Sequence, residues 1–181
     1  MNRYKVKISF ITDYLQARFT EDAKKELEDF VSKGVVKSEE ESWKVFLYED
    51  KDGIYIPSTH LRNALVNAGK KFKVKKERAS MKQWVISNII VMPEKIRLNK
   101  EEPDDILVSY PARKDGNRVT IKHPVFKTGT EVEFQIRCLD STMEDKAIKD
   151  LIEMAGQMYG IGARRADMYG RFDLVDFKKE K

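Results

Sequence analysis

The chain has 181 residues, of which 41% are hydrophobic and 36% charged, with 35 Lys and Arg against 30 Asp and Glu for a net charge of +5. That apolar share excludes disorder throughout, and the mild positive balance leans towards an anionic partner without identifying one. A lone cysteine, Cys138, excludes an internal disulfide, and no apolar run reaches the roughly 18 residues of a membrane span, so the expectation is a cytoplasmic protein with no membrane partner.

Tyr4, Val6, Ile8 and Phe10 alternate with Lys5, Lys7 and Ser9, which predicts a strand over 4–11 with one polar face. Thr20 reads as an N-cap, with Glu21 and Asp22 at the positive end of a helix carried by Ala23, Leu27, Phe30 and Val31 to a stop at Gly34. Strands are predicted over 43–48 and 54–56, with Asp52-Gly53 as a hairpin signal between them. Pro57-Ser58 breaks the second of these and caps a helix over 59–71, striped by Leu61, Ala64, Leu65 and Ala68. The densest basic run follows, from Lys70 to Arg78, with Phe72 and Val74 between the lysines.

An apolar strand is predicted over 84–92, ended by Pro93, and a hairpin from 106–111 and 118–125 about Asp115-Gly116. The arms of that hairpin carry Arg113, Lys114, Arg118, Lys122 and His123. Val132, Phe134, Ile136 and Cys138 alternate with Glu133, Gln135 and Arg137, a further strand. A helix over 143–159 sets Ala147, Ile148, Leu151, Ile152, Ala155, Met158 and Tyr159 on one face. Then come a glycine-rich loop, a strand over 171–177 and a charged tail, 178–181.

Taken in order, the longest apolar elements spell βαββαβ: strands 4–11, 84–92, 132–139 and 171–177, with crossover helices 59–71 and 143–159. That predicts one α+β domain over 1–181 with a ferredoxin-like (RRM-like) sheet, helices on one face and inserted β-hairpins. Residues 99–124 read as a hairpin insertion, and 178–181 as a disordered tail.

The loop Gly160-Ile-Gly-Ala-Arg-Arg-Ala-Asp-Met-Tyr-Gly-Arg-Phe172 is the most conspicuous segment. Gly160, Gly162 and Gly170 permit close backbone approach, and Arg164, Arg165 and Arg171 supply planar forks suited to phosphate. It is neither a Walker loop nor a dinucleotide fingerprint, because it follows a helix and lacks Gly-Lys-Ser/Thr. Two readings stand: a phosphate-contacting loop, or a helix stop with solvated arginines. The run containing Lys70, Lys71 and Lys73 is likewise either a positive face for a phosphate backbone, with Phe72 or Trp84 to stack on a base, or a solvated charged face. His60, at a helix start, is a weak candidate acid/base, and His60 and His123 with one cysteine make a poor zinc set. No metal and no cofactor are expected.

Ile54-Tyr-Ile-Pro-Ser-Thr-His-Leu-Arg-Asn-Ala-Leu65 resembles the I-P-x-S-x-L-R-x-A-L element of the CRISPR-associated RAMP superfamily. The segment from Leu151 through Gly160-Ile-Gly-Ala-Arg-Arg to Tyr169-Gly-Arg-Phe172 is similar to that superfamily's C-terminal glycine-rich loop and following strand. The resemblance implies a ferredoxin-like core, with the hairpin about Asp115-Gly116 in the part of the β-hairpin thumb. It also implies non-catalytic binding of single-stranded RNA or DNA along the phosphates, with the helix start from Ser58 to Arg62 near the strand. The setting would be a homo- or hetero-oligomeric ribonucleoprotein assembly, or a free-standing phage or mobile-element relative. Two alternatives are kept: a metal-independent endoribonuclease using a histidine, and an assembly protein with no nucleic-acid role.

Overall fold

A computed structural model describes residues 1–18, Glu21, Ala23, Lys25, 42–72, 81–110 and 120–180. Lys73 and most of the basic run, the turn about Asp115-Gly116, and Thr20, Asp22 and the Gly34 stop lie outside the described residues; Glu21, Ala23 and Lys25 are helical.

The centre is a four-stranded sheet of β1 (Asn2–Phe10), β5 (Ile89–Met92), β9 (Glu131–Cys138) and β10 (Phe172–Glu180), in the spatial order β10-β1-β9-β5. Every neighbouring pair in it is antiparallel. The alternation in β1 sets its register. Tyr4, Val6, Ile8 and Phe10 are buried in the core, so a slip of one residue would put all four in water. Each such side chain contributes about 1.5–3 kcal/mol on burial. On the other face, Lys5 and Lys7 pair with Glu133 and Glu131 at 3.2 and 2.6 Å.

Helices α1 (Ser58–Gly69) and α3 (Asp145–Met154) pack on the inner face, burying Leu61, Ala64, Leu65 and Ala68 from one and Ile148, Leu151 and Ile152 from the other. A short helix, α2 (Lys82–Asn88), leads into β5. Two smaller sheets flank the centre. One is β2 (Tyr14–Leu15) with β8 (Ile121–Phe126) and β7 (Asp105–Ser109); the other is β3 (Glu49–Asp50) with β4 (Gly53–Pro57) and β6 (Lys95–Arg97). The described residues form a mixed α+β fold with antiparallel sheets and helices, broadly consistent with a ferredoxin-like arrangement.

Several expectations are corrected. The predicted strand over 84–92 is helix as far as Asn88, because Trp84 packs partly into the core and bonds Asp140 while Val85 stacks on Gly69. Most of 43–48 is a 3-10 turn, Ser42–Phe46, so the first hairpin is short, pairing Glu49 with Ile54 and Asp50 with Gly53. Ser58 is the first helical residue rather than a cap; its N–H donates to the Glu94 carbonyl at 2.8 Å. The tail expected from Lys178 is strand as far as Glu180. Arg3, Tyr4 and Lys5 pair with it, and Phe177 stacks on Tyr4 at 4.9 Å. Met158 is 51% exposed rather than core, because after Met154 the helix widens into a π turn, Ala155–Tyr159, whose longer repeat rotates the face away.

Candidate functional site

β1 ends at Phe10, at the end of the central sheet where its neighbour β10 begins, and the chain segment after it meets the glycine loop there. Main-chain bonds fasten the two. Gly170 N–H donates to Asp13 O, Ala163 N–H to Leu15 O and Ile11 N–H to Arg171 O, each at 2.9 Å. The Thr12 hydroxyl accepts from Arg171 N–H at 2.9 Å and donates to Met168 O at 2.8 Å. Ile161 N–H donates to Gly170 O at 2.9 Å and closes the loop's neck.

Two glycines make this approach possible. Gly162 has φ +85°, and a Cβ there would run into the Leu15 carbonyl and the Tyr14 ring. Gly170 has φ +72°, and its Cβ would meet the Ile161 carbonyl. The turn between them carries Arg164 and Met168 in the left-handed region, φ +52° and +70°, which non-glycine residues seldom occupy. Arg164 Nε donates to Asp167 Oδ2 at 2.9 Å and holds that turn.

Pro57 ends β4, so α1 starts beside the loop and presents His60 to it. His60 meets the Tyr48 ring edge-on at 5.3 Å, and its Nδ1 is buried with no partner among the described residues. Burial, and then the charge of Arg165, hold its imidazole below the usual histidine range, so it is neutral at pH 7. Tyr48 is fixed through the fully buried Gln16, whose Oε1 accepts from Tyr48 N–H at 2.7 Å and whose Nε2 donates to Tyr55 O at 2.9 Å. Gln16 O in turn accepts from His123 Nδ1 at 3.3 Å, so that nitrogen carries the proton of the neutral ring.

Two adjoining clefts result, sharing Ala17, Gly162, Ala163 and Arg165. The first, about 390 Å³, is walled by Tyr48, His60 and Asn63. The second, about 580 Å³, is walled by His123, Met158, Tyr159, Arg164 and Arg171. Arg164 and Arg165 are exposed, but Arg171 is buried.

Of the residues picked out by sequence, Gly162, Arg164, Arg165, Arg171 and His60 therefore line the two clefts, although about a hundred residues separate His60 from the loop, while Gly160 sits at the loop's neck against the Gly170 carbonyl. Ser58 stands at the start of the same helix. Arg62 points elsewhere: its Nη2 donates to Ile86 O at 2.8 Å and its Nε to Ile89 O at 3.5 Å, where α2 ends. Lys70 and Lys71 lie just past the other end of α1, about 15 Å along the axis from His60. Trp84, bonded to Asp140, stands near Cys138, beside the Asn2 end of β1; the loop is at the Phe10 end, about 26 Å along the strand. Sequence reasoning passed over Gln16, Tyr48 and Asn63. Gln16 sits in a short connection and Tyr48 was expected in a strand, so neither carried a site signal. Among the described residues, no group of three or more His, Cys, Asp or Glu side chains is placed to hold a metal ion.

No family model matches the sequence, and no curated protein does. Solved structures do. A chain of the Type III-B Cmr-beta complex bound to cognate target RNA superposes with a TM-score of 0.64 at 15% identity over 99% of this chain. A chain of a Type IV-B CRISPR complex superposes with a TM-score of 0.51 at 12% identity over 98% of this chain and 90% of its own length. This chain spans 61% of the length of the Cmr-beta chain. These likenesses are ones of fold: the chain shares its architecture with a chain of each of the two complexes. Among the described residues, no helix is long and apolar enough to cross a membrane.

Proposed function

We propose that this protein binds single-stranded nucleic acid, RNA in the first instance, through the phosphates and without catalysis, as a subunit of a ribonucleoprotein assembly built on a βαββαβ core. One observation carries the reading: three arginines of the glycine loop and the start of α1, far apart in sequence, line two joined clefts. The arginines suit phosphate, and Tyr48 offers a ring beside them. The fold adds support, since one chain that shares it belongs to a complex solved with target RNA. Lys70 and Lys71 are left out of the proposed contact, because they lie at the far end of α1.

The test is a fluorescence-anisotropy titration of labelled single-stranded RNA and DNA across a salt series. Three phosphate contacts give a slope of about −2 in log affinity against log salt, from roughly −0.7 per contact on a single strand. Replacing Arg164 and Arg165 with glutamate is expected to abolish binding without unfolding the chain. No binding by the wild type at low salt would sink the reading and favour a protein–protein assembly role.

A second reading has one observation in its favour. His60 is a neutral imidazole lining the cleft beside Arg165, so it could accept a proton from a ribose 2′-hydroxyl while the arginine stabilises the phosphorane. It predicts RNA cleavage that persists in EDTA and disappears in His60→Ala. Intact RNA after long incubation leaves binding alone.

A further inference from the structure

Arg171 differs in kind from the other two arginines of the loop. Its residue is 9% exposed, yet Nε and Nη1 are buried without a hydrogen-bond partner among the described residues. Nη2 reaches only the Arg165 carbonyl at 3.5 Å and the Met168 sulfur at 3.6 Å. No carboxylate of the described residues is among its partners. Arginine stays protonated in proteins, so a residue that lines the cleft carries a full charge with unmet donors, and an anion reaches Nε and Nη1 once the side chain turns towards the cleft. Such a group costs stability unless something neutralises it. Burial, and then the neighbouring Arg165, already pull its pKa below the usual value.

We infer that Arg171 is the floor of a discrete phosphate subsite in the cleft shared with Arg164, and that it takes one phosphate group inserted out of the solvent. The inference rests on the nucleic-acid reading above for the source of that phosphate, but the anion site stands on its own geometry. Three features argue for phosphate. The cleft of about 580 Å³ has room for one such group with its ester substituent. The unmet donors are several and belong to one planar guanidinium, which matches a tetrahedral oxyanion better than a lysine would. Arg165 and Arg164 add positive charge at the rim, and Asp167 is turned back to Arg164. In this scheme the rim arginines attract the strand and Arg171 pins it at one backbone position.

The experiment uses the full chain and inorganic phosphate as probe. Thermal melts are run with increasing phosphate at constant ionic strength, for the wild type, Arg171→Met and Arg171→Lys. Phosphate stabilises proteins non-specifically, so the readout is the difference between wild type and variant. The wild-type Tm is expected to rise with phosphate, and Arg171→Met to melt no lower than the wild type without phosphate and to lose the rise. Arg171→Lys keeps a charge but not the fork, and is expected to bind phosphate at least about tenfold more weakly. If both variants respond to phosphate as the wild type does, there is no subsite at Arg171. Single-stranded oligonucleotides with a 5′-phosphate or a 5′-hydroxyl then identify the source. Equal competition by both assigns an internal phosphodiester, and competition by the first alone a terminal phosphate. Phosphate binding through Arg171 with no competition from either leaves the anion site standing and removes the strand reading. Oligonucleotide binding that ignores both Arg171 and phosphate does the reverse.

Discussion

At Gly162 the loop is built by the absence of a side chain. The φ of +85° and the approach of Leu15 O and Tyr14 to the missing Cβ require glycine twice over. Gly162→Ala is therefore expected to cost about 2 kcal/mol or more in chemical denaturation, through backbone strain and displacement of the Tyr14 ring. The buried Tyr14 stacks on Phe10 at 4.8 Å, so the disturbance runs straight into the core. A loss under about 0.5 kcal/mol would mean that the loop relaxes away from β2. At Gly129, φ is also positive, but nothing lies near a Cβ, so the cost there should be the conformational part alone.

Among the elements, α1 links the site to the rest of the fold. Its first turn faces the glycine loop, its middle packs on the sheet, and its last residues meet α2. Arg62 fastens this arrangement by donating to two carbonyls at the end of α2, where no further helical partner exists for them. Arg62→Ala is expected to lower stability by about 1 kcal/mol, since a charged donor to a backbone carbonyl is lost, and to leave nucleic-acid affinity within about twofold. Measuring both on one preparation separates the roles. A large affinity loss at unchanged Tm would put Arg62 back at the strand, as the resemblance to the I-P-x-S-x-L-R element implied.

The whole molecule is set up to lose stability in acid. Arg97, and then Lys95, hold the Asp50 carboxyl well below the usual carboxylate range; Thr142 and Trp84 lower the pKa of Asp140, and Lys179 and Tyr4 that of Asp145. His60 and His123 are depressed chiefly by burial, against the pull of Gln16 O at His123. A depressed folded pKa contributes stability that is present above the unfolded value and lost as pH falls through the folded one. Tm should therefore fall in two stages: first below about pH 6.5, as unfolded histidines take up protons, then below about pH 3.9, as unfolded carboxylates do. His60→Gln and Asp50→Asn assign the stages, the first variant shrinking the upper fall and the second the lower. A Tm constant from pH 7 to pH 5 would show that the histidines are not held neutral.

Period-two alternation placed Tyr4, Val6, Ile8 and Phe10 in the core, and spacing along α1 and α3 placed their buried stripes, because local patterning reports which face an element buries. The glycines and arginines of the loop were legible as residue types for the same reason. Trp84, Met158 and Lys178 were misread because their states depend on Asp140, on a widened last turn and on a partner strand. The sequence by itself determined a mixed α+β chain with a glycine-rich, arginine-bearing loop. Only the tertiary structure decided that His60 meets that loop, that Arg62 and Lys70 do not, and that Arg171 is buried while Arg164 and Arg165 are exposed. Those outcomes rest on contacts between segments distant in the chain, where neither propensity nor spacing carries information.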